Sequence, residues 1–146
     1  MGKLDGKVAV ITGAASGMGG ARGLRFAKEG AAVVIADLTS QAGEATVSEI
    51  AAGGGRAVFQ HTDVGSDAAI KALIDRAVSE YGRLDITYNN AGIGGATGRL
   101  EDTTAPDWDK SFVILTRAVF LGIKYSIEPM RKVGGSMCLL VVSLVV

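Results

Sequence analysis

The segment Thr12-Gly13-Ala14-Ala15-Ser16-Gly17-Met18-Gly19 spaces three glycines by four and then two residues. Glycine lets a backbone turn tightly and approach a ligand closely. A helix that starts in such a turn offers free N–H groups and the positive end of its dipole to an anion such as a pyrophosphate. Tight turns and close helix packing also select glycine, so the run alone has a plain structural reading beside the functional one. Asp37 shifts the balance. It falls about twenty residues past the glycines, where a carboxylate accepts hydrogen bonds from the ribose hydroxyls of NAD and repels a 2′-phosphate. Gly20 leaves no cation beside the turn to meet a third phosphate, so NAD is expected in preference to NADP.

The other candidates for chemistry have bland readings. His61 is the one imidazole, without a second metal ligand at useful spacing, and is expected as a buried or rim residue; no metal site is assigned. Cys138 is the one thiol, which excludes an intramolecular disulfide, and in its apolar run it is expected to be an inert packed side chain. Trp108, at a helix start, is expected as a packing anchor.

These residues need elements to hold them. The 146 residues are 48% hydrophobic and carry 15 basic against 15 acidic side chains, which suits one folded domain over 1–146. The even charge supplies no footprint for nucleic acid or for a polybasic membrane surface. The start, Met1-Gly2-Lys3-Leu4-Asp5, lacks the apolar core of a signal peptide, and the apolar run 137–146 is about half a membrane-spanning length, so a cytoplasmic address is expected. β-branched runs at 7–12, 31–36, 56–62 and 84–89, closed by Gly13, Asp37, Asp63 and Asn90, predict strands, and the apolar 137–146 predicts a fifth. Helices are predicted over 17–28, from a Ser40 cap to 52, from a Ser66 cap to 81, and from a Thr104/Asp107 capping box to about 131, with Pro129 fraying that end. Five strands alternating with four helices of crossover length imply an α/β fold, a doubly wound parallel sheet of Rossmann type. Ligands then bind beyond the carboxyl ends of the strands, where strand order reverses. The three-glycine spacing and Asn89-Asn90-Ala91-Gly92 argue against another adenosine-ligand domain of this architecture, such as a methyl-donor site, and the competing reading is a partner-dependent or unproductive product with no independent activity.

Thr12-Gly13-x-x-x-Gly17-x-Gly19, Asp63-Val64 and Asn89-Asn90-Ala91-Gly92 together resemble the short-chain dehydrogenase/reductase family over essentially the whole chain, including Trp108-Asp109-Lys110 and Val119-Phe120-Leu121-Gly122. The resemblance implies an oxidoreductase that moves a hydride between NAD(H) and an alcohol or carbonyl substrate. It implies that Gly13, Ser16, Gly17, Met18 and Gly19 lie along the pyrophosphate and that Asp37 and Leu38 hold the adenosine ribose. Asp63 and Val64 would flank the adenine, and Asn90, Ala91 and Gly92 would line the nicotinamide side.

The departures from the family pattern concern catalysis. Members use a Tyr and a Lys four residues later on a helix beyond strand five, and this sequence ends before that helix. The family Ser past strand five aligns with Val142, Ser143 being one residue out of register, and the family Asn of the long helix aligns with Leu115. Tyr81, Tyr88 and Tyr125 have no Lys at the family spacing and are expected as core or interface aromatics. No catalytic residue is assigned, and NAD binding without turnover is expected. Relative to the seven-stranded family fold the sheet would be incomplete, and strand five, 139–146, would present an apolar edge open to self-association or a partner chain.

Overall fold

Val8–Thr12 is five residues buried on both sides, and it forms β1 at the centre of a parallel sheet. The computed structural model describes residues 2–134 and 137–140. After β1 come α1 (Gly17–Lys28), β2 (Ala32–Asp37), α2 (Ser40–Ala52), β3 (Arg56–His61), α3 (Asp67–Tyr81) and β4 (Ile86–Asn89). A loop with one short 3-10 turn leads to α4 (Ala105–Phe112), a π-turn (Val113–Arg117), α5 (Ala118–Lys132) and β5 (Met137–Leu140). The strands lie in the order β3-β2-β1-β4-β5 and every pairing is parallel. The chain winds outward from β1 through β2 to β3, then crosses back to start β4 on the other side. The order therefore reverses between β1 and β4, as an open doubly wound sheet requires.

Alternation along the strands feeds two cores. Val8, Val10, Ala32 and Val34 point to α3 and α5, where they meet Leu73, Ile74, Ala77 and Met130. Ile11, Val33, Ile35 and Tyr88 point to α1 and α2 and meet Ala27 and Ile50. Both faces are covered, which is why the strands read as unbroken apolar runs.

The helix ends follow local chemistry. Gly30, at φ +97°, ends the chain segment after α1, and Gly82, at φ +76°, takes the left-handed position that stops α3. Ser66 caps α3 by accepting from Ala69 N–H at 3.3 Å, and Thr104 accepts from Asp107 N–H at 3.3 Å to start α4. Two expectations need correction. Ser40 is the first helical residue of α2 and Thr39 holds the cap position, because Thr39 N–H donates to Asp37 Oδ1 at 3.0 Å and turns the chain one residue earlier. The long helix is not continuous: the π-turn around Leu115 divides it, whereas Pro129 sits inside the last turn of α5 without ending it. Trp108 packs on Phe112 with ring centroids 4.8 Å apart while remaining 50% exposed.

Candidate functional site

The crevice at the reversal point is built from the turn after β1 and the loop after β4. Thr12 Oγ1 accepts the backbone N–H groups of both Asn90 and Ala91 at 3.1 Å. The Asn90 side-chain amide returns the contact by donating to the carbonyls of Thr12 and Gly13, each at 3.1 Å. Four hydrogen bonds thus fasten the two loops across 77 to 79 positions of sequence. The Asn90 side chain is a brace of the glycine turn, a role separate from the expected lining of a nicotinamide pocket.

Each glycine of the turn answers a different need. Gly13 has φ +64°, and a Cβ there would lie 2.8 Å from Ala91 Cα. A Cβ on Gly19 would fall 2.1 Å from the Gly13 carbonyl oxygen, so Gly19 lets α1 start directly under the turn. Gly17 has φ +56° with nothing within 4 Å of a Cβ, so its side faces open space beyond the turn. Ser16 stands at the cap position of α1, yet its hydroxyl accepts no helix N–H, and the first turn carries no acidic residue. Ser16, Gly17 and Met18 are exposed there. The start of α1 is therefore an uncapped, uncontested positive helix end, the arrangement that suits an anion.

Asp37 closes the turn from the next strand. Its Oδ2 accepts Ala15 N–H at 3.0 Å and its Oδ1 accepts Thr39 N–H at 3.0 Å. A carboxylate has about four acceptor positions. Each oxygen of this half-buried group therefore keeps room for a further donor such as a ribose hydroxyl. Leu38, the next residue along the chain, is 60% exposed, and Met18 in the first turn of α1 is 51% exposed.

The remaining expected residues divide. Asp63 is exposed at the end of β3 and accepts Gly65 N–H at 2.8 Å. Val64 packs on the cluster of Ile70, Ala118 and Leu121, and with Thr12, Asn89 and Ala91 it lines a cavity between the sheet and α5. Gly92 is exposed on the loop beyond the brace. The turn, Asp37, Asn90 and Ala91 form one connected unit; Asp63 follows β3, and Val64 meets Thr12, Asn89 and Ala91 at the cavity.

Sequence reasoning missed two contributors. The Thr12 hydroxyl became visible only with β4 in place beside β1. Gly122 of α5 is required because a Cβ there would sit 2.3 Å from Asn89 Oδ1, and this close approach lets α5 lie against the end of β4. Beneath it, Ser126 Oγ donates to the Gly122 carbonyl at 2.6 Å and stands 2.8 Å from Thr87 Oγ1, a buried chain of hydroxyls that joins helix to strand.

The tyrosines pack in or against the core, and the Tyr88 hydroxyl is buried without a hydrogen-bond partner among the described residues. Tyr88 is buried with the Arg22 guanidinium 4.9 Å over its ring. Tyr125 OH donates to Asp67, and that bond, with lesser burial and charge effects from the same carboxylate, raises its pKa. Burial likewise raises that of Tyr81. His61 is exposed at the sheet rim. Among the described residues there is no group of three or more metal-ligating side chains, and no helix is long and apolar enough to cross a membrane. The side chain of Cys138 and the positions Val142 and Ser143 lie outside the described residues.

A doubly wound parallel sheet with a braced glycine turn after the first strand, an acidic residue ending the second and an Asn-Asn-Ala-Gly loop ending the fourth is a Rossmann-type arrangement. A short chain dehydrogenase profile matches residues 7–145, and the chain belongs to that family. Cyclopentanol dehydrogenase of a Comamonas species is 41% identical over 132 residues, covering 90% of this chain and 52% of that protein. The 3beta-hydroxysteroid dehydrogenase of Mediterraneibacter gnavus is 36% identical over 136 residues, 93% of this chain and 49% of that one. Among solved structures, levodione reductase superposes with a TM-score of 0.88 at 33% identity, covering 93% of this chain and 54% of its own. A hydroxysteroid dehydrogenase from Escherichia coli gives 0.86 at 34% identity, with 92% and 57% covered. The chain spans about half the length of the curated relatives it matches.

Proposed function

We propose that these residues form the NAD-binding half of an oxidoreductase that transfers a hydride between an alcohol or carbonyl substrate and the dinucleotide, and that by itself this half binds NAD(H) without turnover. The observation that carries the reading is Asp37: its carboxylate holds the glycine turn through Ala15 N–H and still has acceptor capacity toward the crevice. That geometry suits a ribose with free hydroxyls and disfavours a 2′-phosphate.

The residues fit such a group on their own terms. Gly17 leaves open space beside the free N–H end of α1, where a pyrophosphate is held by backbone donors. Met18 at the start of α1 and Leu38 after β2 offer exposed apolar side chains. Asp63 and Val64 bound the adenine side, while Ala91 and Gly92 bound the nicotinamide side behind the Thr12–Asn90 brace. When bound, the nicotinamide ring supplies the hydride acceptor or donor. We place the protein in the cytoplasm, and we expect the edge of β5 opposite β4 to take a further strand.

Titration of the protein with NADH, followed by nucleotide fluorescence beside Asp37→Ala, tests the reading. Saturable binding that the substitution weakens at least tenfold is expected. A soluble, folded protein that gives no saturable signal overturns it.

A further inference from the structure

Two contacts between β4 and α5 repeat one helical turn apart. Thr87 meets Ser126, and Asn89, two residues along the strand on the same face, meets Gly122. Thr12 follows the pairing of Ile11 with Tyr88 and so stands beside Asn89 at the end of β1. Thr12, Thr87 and Asn89 line one internal cavity whose other walls, Val10, Leu73 and Ala118 among them, are mostly apolar. The cavity has about 10 Å³ of room for the centre of a water molecule, which is enough for one.

Hydrogen-bond accounting shows what the polar walls lack. Asn89 is 4% exposed, and its Nδ2 is buried without a partner among the described residues. Thr12 Oγ1 accepts two N–H groups, which uses both of its lone pairs and leaves its proton to be donated. Ser126 gives its one proton to the Gly122 carbonyl, so Thr87 must be the donor across the 2.8 Å contact between the two hydroxyls. Thr87 Oγ1 thereby keeps its capacity to accept. Two donors and one acceptor border a space the size of one water.

We propose that this cavity is a binding site for a single structural water, which accepts from Asn89 Nδ2 and Thr12 Oγ1 and donates to Thr87 Oγ1. Internal waters make about three such bonds, and cavities that stay dry are apolar throughout. A buried donor left unserved is costly, whereas ordering one water costs little. The bonds then run in one direction, from the Asn90 and Ala91 N–H groups through Thr12, the water, Thr87 and Ser126 to the Gly122 carbonyl. In such a chain each bond polarises the next. The brace of the crevice becomes continuous with α5, and it does so whether or not a dinucleotide is bound.

A high-resolution crystal structure of the native protein tests this, together with oxygen relaxation dispersion of water, which counts long-lived internal waters in solution. The crystal is expected to show one ordered water at about 2.7–3.2 Å from Asn89 Nδ2, within hydrogen-bond reach of Thr12 Oγ1 and Thr87 Oγ1 as well. In solution, Asn89→Leu, which is apolar and close in volume, is expected to hold one long-lived water fewer than the native protein. Thr87→Val keeps the volume and removes the acceptor, so it gives the same comparison, with the same loss expected, should Asn89→Leu fail to fold. No ordered water at Asn89 Nδ2 in the native crystal, or a protein acceptor bonded to it instead, overturns the inference. An unchanged count of long-lived waters in a folded Asn89→Leu or Thr87→Val overturns it equally.

Discussion

The Thr12 hydroxyl serves two backbone N–H groups that come from another loop, Asn90 and Ala91. Thr12→Val removes the acceptor and leaves both donors without it in a part-buried position, a loss of about 1–3 kcal/mol. Urea unfolding should show that loss, and Thr12→Ser should recover most of it; equal stability of all three proteins would mean that solvent serves those donors equally well. Gly19→Ala makes a sharper demand, since its Cβ would fall 2.1 Å from the Gly13 carbonyl oxygen. NADH affinity is expected to fall more than tenfold while circular dichroism keeps its helix signal, because the fault is confined to the turn. An unchanged affinity would show that the turn can give. At this scale the sequence displayed the residue types well: the glycines and Asp37 meet in one hydrogen-bonded turn after β1. It did not display the brace, because a bond between Thr12 and Asn90 depends on β1 and β4 being neighbours, and nothing local to either position encodes that.

Strands and most helices were legible for a physical reason. Runs such as Val33-Val34-Ile35 are buried on both faces, and turn residues close them at Gly13 and Asp37. Helix caps at Ser66 and Thr104 do what their side chains suggest. The break between α4 and α5 was not legible, since a π-turn adds a residue to the helix without needing Gly or Pro to mark it. The turn forms around Leu115, an ordinary helix-forming residue. The contact of α5 with β4 depends on Gly122, and Gly122→Ala would drive a Cβ to 2.3 Å from Asn89 Oδ1. Thermal or urea unfolding should report a loss of about 1–3 kcal/mol, the usual cost of overpacking. A neutral result would mean that Asn89 can swing aside into the cavity it borders.

At the far end of the sheet from the crevice, Asp85 is 3% exposed at its side chain and takes Arg83 at 2.6 Å, Lys7 at 3.4 Å and the Val8 N–H at 3.0 Å. Burial alone pushes its carboxyl up, but the Arg83 hydrogen bond, the Val8 N–H and the two cations together hold it below the ordinary value. A depressed carboxyl stabilises the fold above its unfolded value of about 3.9 and loses that contribution as pH falls through the lower folded value. Unfolding free energy is therefore expected to drop on the acid side of about pH 4, and Asp85→Asn should flatten that drop. At neutral pH the same substitution should cost about 1–3 kcal/mol, discounted because both cations are part-exposed. A drop of equal steepness in Asp85→Asn would assign the acid sensitivity elsewhere. The strand order has a consequence for how the molecule is made. β1 sits between β2 and β4, so a growing chain can complete β1, β2 and β3 with α1 and α2 while the other edge of β1 still waits for residues 86–89. Until they arrive, the glycine turn lacks both Thr12 contacts to the β4 loop and the Asn90 clamp. Completion of the glycine turn during synthesis or refolding would thus lag behind helix formation and mark the moment at which the second half of the sheet locks onto the first.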